Sequence, residues 1–427
     1  MSMKIHLSML GCRLNQAEID SMARQFQQQG HEVVHDPTQA EQFIVNTCTV
    51  THEASKTSRK LIRELHRANP HAQTTVTGCY AQVAPDDVMK LPGVVRVVDN
   101  TGKDNIVQTI TGVTVKDFDH EPIARDTTIP GRTRAFVKVQ DGCDNACTFC
   151  ITTVARGAGR SRTIDEVVAE IRQLHQMGYQ ETVLTGVHLG SYGRDLGQNL
   201  KQLVQTILQQ TEIPRLRLSS LEPWDLTEDF FELWQNPRLC PHLHLPLQSG
   251  CDTTLKRMRR NTTQDEFTAL VATARAHIPN LLITTDVIAG FPGETDEEFA
   301  MSCAFIEQMA FSGMHIFRYS KRAGTPAARM KGQVPEAIKK QRSKVLHRMA
   351  AHMQQRAANL FKGQALSVLW EHVTGATQDG FINVGYTDNY LRVWALHPRV
   401  LTNHITQATL GEYDPDKNQI QAYPIIE

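Results

Sequence analysis

The spacing of apolar residues divides the chain into three regimes. In the first, short apolar runs alternate with helical periodicity. Lys4 to Leu10 predicts a strand, and Leu14, Met22 and Phe26 mark one face of a helix that Gly30 stops. Phe43 to Val45 predicts a second strand, Glu53 to Ala68 a charged helix halted before Pro70, and Thr74 to Thr77 a third strand. This alternation predicts a small parallel α/β domain over residues 1–120.

Over 129–360 the strand-then-helix pattern repeats. Strands are expected at Ala135 to Gln140, Glu181 to Val187, Leu216 to Leu221, His242 to Leu247, Leu282 to Ile288 and His315 to Tyr319. Thr163 with Glu166, and Thr295 with Glu298, read as capping boxes, and Gly178 closes the first of these helices. Six βα units predict a partial barrel whose site lies at the carboxyl ends of its strands. A basic helical stretch, Pro335 to Leu360, follows. Beyond it the period changes to two: Leu366, Val368 and Trp370 alternate, as do Leu391 and Val393, with glycine turn signals between them. Residues 361–427 are therefore expected to form a small five-stranded all-β barrel. The polar stretch from Asp117 to Thr133 reads as a linker.

Composition narrows the class. With 427 residues, 41% hydrophobic and 21% charged, the chain fits an ordinary globular protein of several domains. No apolar run approaches the ~20 residues of a membrane span. Met1 to Leu10 lacks the apolar core and cleavage site of a signal peptide, so the expected location is the cytoplasm, away from membranes. Nine cysteines in that compartment predict metal ligation and buried thiols rather than disulfides. The net charge of zero argues against a uniformly basic nucleic-acid binder. Counted by segment, however, the middle region carries an excess of positive charge, and residues 361–427 an excess of negative charge.

Two sets of cysteines carry chemistry. Cys143, Cys147 and Cys150 stand as CDNACTFC directly after the first expected barrel strand. Thiolates so closely spaced can hold one 4Fe-4S cluster and leave its fourth iron open, whereas structural zinc prefers four protein ligands. Cys12, Cys48 and Cys79 each follow one of the three N-terminal strands, in LSMLGC, FIVNTC and TVTGC. The carboxyl ends of parallel strands converge on one crevice, so these three are expected to meet and form a second three-cysteine cluster site. Cys240, Cys251 and Cys303 share no such placement and are expected to be free thiols.

The segments LGCRLNQAE, VNTCTVTHEASKTSRK, TGCYAQ, QDGCDNACTFC, RGAGRSR and LTGVHLGSYG resemble the methylthiotransferase family of radical S-adenosylmethionine enzymes, along nearly the whole chain. Within it, they are most similar to the branch acting on N6-threonylcarbamoyladenosine 37 of tRNA. The resemblance implies an N-terminal domain with an auxiliary 4Fe-4S cluster on Cys12, Cys48 and Cys79. It implies a radical S-adenosylmethionine domain with a second 4Fe-4S cluster on Cys143, Cys147 and Cys150, and a C-terminal TRAM domain. It also implies cofactor contacts by Phe149 and Ile288 with Ala289 at the adenine, Gly186 at the methionyl end, and Glu222 or Ser219 at the ribose. The implied reaction places a methylthio group on adenine carbon 2, with tRNA as substrate and an electron donor and a sulfur source as partners.

A base beside the anticodon must leave its stack to reach such a site. The threonyl carboxylate calls for an arginine, and the candidates for RNA contact are Arg156, Arg160, Arg162, Arg259, Arg260, Arg318 and Arg322. Three rival readings stay open at this point: the isopentenyladenosine-directed branch, the branch acting on a ribosomal aspartate, and a non-catalytic zinc-bearing RNA-binding protein.

Overall fold

Phe43 and Val45 face one side of their strand and Ile44 the other, and all three are fully buried, because helices cover both faces of the N-terminal sheet. The computed structural model describes residues 2–113 and 133–425. Five parallel strands, β1 (Lys4–Met9), β2 (Glu32–Val33), β3 (Gln42–Thr47), β4 (Gln73–Gly78) and β5 (Val94–Val97), run in the order β2-β1-β3-β4-β5. The pattern in the sequence predicts β1, β3 and β4. It misses β2 and β5, which are too short to show a period. Of the expected linker, all but Thr133 lies outside the described residues.

The middle region forms β6 (Arg134–Lys138), a two-stranded ribbon of β7 (Gln140–Asp141) and β8 (Arg160–Ser161), then β9 (Glu181–Thr185), β10 (Arg215–Leu218), β11 (His242–His244), β12 (Leu282–Ala289) and β13 (Gly313–Arg318). Strands β6, β9 and β10 pair in parallel, as do β11, β12 and β13, and a parallel bridge from Ser220 to His244 joins the two halves. The six expected strands are all present. Strands β10 and β11 stop short of Leu221 and Leu247, and in the second case Pro246 has no N–H for the ladder. Capping boxes hold four helices of this region: the two predicted at Thr163 and Thr295, and two more at Asn199 and Thr263.

The partial barrel is open between β6 and β13. Helix Arg13–Gln28 of the N-terminal unit packs on β6, and helix Glu336–Leu360 packs on β13. The latter leads into β14 (Ala365–Thr377), β15 (Gly380–Thr387), β16 (Arg392–His397), β17 (Ile405–Asp414) and β18 (Gln419–Ile425). These close a barrel in the order β14-β15-β16-β18-β17 around the fully buried Trp370 and Val368. Among the described residues no helix is long and apolar enough to cross a membrane.

Candidate functional site

Strand register brings the dispersed cysteines together. Met9 pairs with Asn46 and Thr47 with Gly78, so Cys12, Cys48 and Cys79 all leave the same edge of the sheet. Two glycines allow the close approach. A Cβ on Gly11 would lie 2.9 Å from the Cβ of Cys48, and one on Gly78 would lie 2.4 Å from the Thr47 carbonyl oxygen; both residues adopt positive φ. Cys12 is the N-cap of helix Arg13–Gln28, and Cys79 opens helix Cys79–Val83. Burial pushes the Cys48 thiol up to about 11, and its neighbours Cys79 and Cys12 add to the shift.

The second set lies in the loop after β7. The N–H groups of Asn145 and Thr152 donate to Cys143 Sγ and Cys150 Sγ at 3.4 and 3.3 Å, and Arg260 Nη1 donates to Cys147 Sγ at 3.8 Å. Burial pushes the Cys143 thiol up to about 12 and raises that of Cys147, and a bound cation would favour their deprotonated forms. Among the described residues, the three-member group whose ligand atoms all lie within 4.8 Å of one another is His244, Asp286 and His315, not either cysteine set. Three donors at wider spacing suit a polynuclear cluster.

Cations stand beside both sets. Lys103 and Arg156 feel the Cys79 thiol, Arg322 feels Cys48 and Arg260 touches Cys147. A cluster carried on three thiolates would be anionic, and these side chains would offset that charge.

Two of the arginines expected at an RNA surface are buried. Arg156 is 3% exposed and is spent on Glu18, Asp141 and Asn15. Arg260 is 7% exposed and is held by Glu222, by the Pro246 carbonyl oxygen and by Cys147, with Trp224 stacked on its face. Each is committed to an internal acid. Arg162 bonds Glu170 and the Lys138 carbonyl oxygen, and the half-buried Arg322 bonds Thr49 and Ser55 in the N-terminal unit. Arg318 is exposed and pairs with Glu336. Arg160 and Arg259 are exposed.

The expected cofactor contacts fall into two groups. Phe149 packs with Ile288 in one apolar cluster that also holds Phe291 and Tyr319, while Ala289 is fully closed off. Gly186 is tightly packed: a Cβ there would lie 3.0 Å from Gln140 Oε1. The carboxylate of Glu222 is already bonded by Arg260, and Ser219 Oγ is buried without a hydrogen-bond partner among the described residues.

A cavity of about 730 Å³ fills the open side of the barrel. Cys12 and Arg13 come to its wall from the N-terminal unit, Ser219 and His315 from the barrel, and Tyr386 and Tyr390 from the C-terminal barrel. The two tyrosine rings stack at 4.9 Å, with Arg134 against both. None of Arg13, His315, Tyr386 and Tyr390 was singled out by sequence; the one local hint was that Arg13 directly follows Cys12.

Residues 4–99 match the family described as "Uncharacterized protein family UPF0004", and residues 137–306 match the radical SAM superfamily. The chain is 40% identical, over 90% of its length and 88% of the relative's, to the threonylcarbamoyladenosine tRNA methylthiotransferase MtaB of Bacillus subtilis. It is 38% identical to the protein of that name from Thermotoga maritima, across 91% of this chain and 90% of that one. A tRNA-2-methylthio-N(6)-dimethylallyladenosine synthase from Staphylococcus haemolyticus is 31% identical over 94% of this chain and 81% of its own. Among solved structures, the radical S-adenosylmethionine methyltransferase TsrM from Kitasatospora setae, with cobalamin and a 4Fe-4S cluster bound, shares the fold. Its TM-score is 0.58 at 16% identity, covering 77% of each chain. On this extent of identity, and with a radical SAM barrel set between a cysteine-bearing α/β unit and a closed β barrel, the chain belongs to the tRNA methylthiotransferase family of radical S-adenosylmethionine enzymes.

Proposed function

We propose that this protein converts N6-threonylcarbamoyladenosine 37 of tRNA into its 2-methylthio derivative. The observation that carries this reading is the shared cavity, in which Cys12 of one cysteine set opens onto the interior of the barrel that bears the other. Cys12, Cys48 and Cys79 would hold an auxiliary 4Fe-4S cluster, and Cys143, Cys147 and Cys150 the cluster that binds S-adenosylmethionine. When bound, these groups supply the electron, the sulfur and the methyl group that replacement of an unactivated aromatic C–H requires.

The chain's own residues bind, orient and shield. Phe149 and Ile288 offer an apolar wall for the cofactor's adenine, and the bare Gly186 admits its methionyl end. Ser219 Oγ, buried without a hydrogen-bond partner among the described residues, supplies a hydroxyl for the ribose. Glu222 holds Arg260 against Cys147. Tyr386 and Tyr390 provide a stacking surface where an extruded base enters. The exposed Arg160, Arg259 and Arg318 are placed to contact phosphates. An electron donor and a sulfur source are the further partners this chemistry needs.

Anticodon stem-loops carrying either threonylcarbamoyladenosine or dimethylallyladenosine at position 37 test the reading with the reconstituted protein. Mass spectrometry of the product nucleosides should show methylthiolation of the first, and turnover of the second alone overturns it.

A further inference from the structure

One exposed cation in the cavity wall makes no hydrogen bond or ion pair among the described residues, although its charge is felt by His315 and Tyr390. Of the arginines that line the cavity, Arg134 donates through Nε to Glu371 and Arg217 to Glu181, each at 2.7 Å. Arg392 lies at the rim, where its Nε and Nη2 meet the Gln419 side-chain oxygen at 3.1 and 3.2 Å. Arg13 has no acid and no hydrogen-bond acceptor among the described residues. Its guanidinium lies over the Phe136 ring, 5.0 Å from the centroid. Such stacking uses the face of a guanidinium and leaves the N–H donors of its edge for a planar anion.

Arg13 directly follows Cys12, so it stands at the end of the cavity where the auxiliary cysteines open. It also faces the barrel: burial lowers the His315 pKa, Asp286 opposes that, and His244 and Arg13 add to the lowering. On adenine, carbon 6 and carbon 2 flank the same ring nitrogen. A group that anchors the N6 substituent beside Cys12 therefore turns carbon 2 toward the same wall.

We propose that Arg13 is the specificity-determining residue of this site, binding the carboxylate of the N6 substituent through its guanidinium edge and so favouring an acidic modification over a hydrocarbon one. The proposal rests on the methylthiotransferase reading above and names the group that selects its substrate. It takes the place of Arg156 and Arg260, which are committed to internal acids.

The test uses the reconstituted protein and anticodon stem-loops bearing threonylcarbamoyladenosine either as the free acid or as its methyl ester. A charge-assisted contact predicts that Arg13→Gln weakens binding of the acid by about tenfold to a hundredfold and shifts binding of the ester by less than about twofold. KM should rise with the loss, and Arg13→Lys should recover part of it. The wild-type protein supplies a measurement independent of any variant's folding, because it must itself prefer the acid to the ester by a similar factor. Equal binding of acid and ester by the wild type, or unchanged acid binding by Arg13→Gln, overturns the role of Arg13 and leaves the proposed reaction standing. A wild type that methylthiolates neither form overturns the reaction, and this proposal with it.

Discussion

Arg156 Nη1 lies 2.9 Å from Glu18 Oε1, and both side chains are almost wholly buried. Arg156 ends the short helix behind Cys143, Cys147 and Cys150, and Glu18 lies in the helix that Cys12 caps. One ion pair thus ties the two cysteine sites across the boundary between their domains. Lys103 joins Glu18 at 2.8 Å, and Asp141 takes a second bond from Arg156 at 2.8 Å. Burial acts to raise the Glu18 pKa, but Lys103 and Arg156 outweigh it and hold the carboxyl well below its usual range.

This network predicts an order of damage. Glu18→Ala strands Lys103, whose one carboxylate within bonding distance among the described residues is Glu18, whereas Arg156→Ala leaves Glu18 paired with Lys103. An uncompensated buried charge costs about 3–5 kcal/mol. Equilibrium urea unfolding should show a loss of that size for Glu18→Ala and a smaller one for Arg156→Ala.

Metal content tests the cysteine assignments. Anaerobic reconstitution should load about eight irons per chain, and joint replacement of Cys12, Cys48 and Cys79 by alanine should leave about four. The same result is expected when Cys143, Cys147 and Cys150 are replaced instead. Zinc without iron, or an unchanged iron count in either triple variant, contradicts the two-cluster assignment.

Acid should weaken the junction between the partial barrel and the C-terminal barrel through Glu181. Burial acts to raise its pKa, but Arg217, Arg134 and Arg215 bring it down from 4.5 to about 2. A carboxyl with a depressed folded-state pKa contributes stability that is complete above its unfolded value and fades as pH falls toward the folded one. Between about pH 4.5 and 2 the protein should therefore lose stability, and Glu181→Gln should flatten part of that slope in thermal melts.

Salt dependence should locate the phosphate contacts. Stem-loop affinity falls with salt in proportion to the phosphates neutralised. Arg160→Gln and Arg259→Gln should each reduce the slope by about 1, while leaving the preference among modified bases unchanged. Unaltered slopes place the RNA elsewhere.

What the sequence determined was local. The alternation of strand and helix, the period-two pattern around Trp370, the capping boxes at Thr163 and Thr295 and the spacing of Cys143, Cys147 and Cys150 depend on neighbours within a few turns of chain. Hydrophobic periodicity and backbone hydrogen bonding act at that range. The convergence of Cys12, Cys48 and Cys79 was legible for the same reason, since each follows a strand and parallel strands end together. Tertiary structure decided where the charges go. Arg156 and Arg160 are four residues apart and look alike in sequence, yet one is buried against an acid 138 positions away and the other faces solvent. Burying a guanidinium requires a carboxylate in place to meet it, and that meeting depends on the packing of one domain on another. The cavity has the same origin. Arg13, His315 and Tyr390 come from three separately folding patterns, and only the closure of the open barrel by its two neighbours makes them one wall.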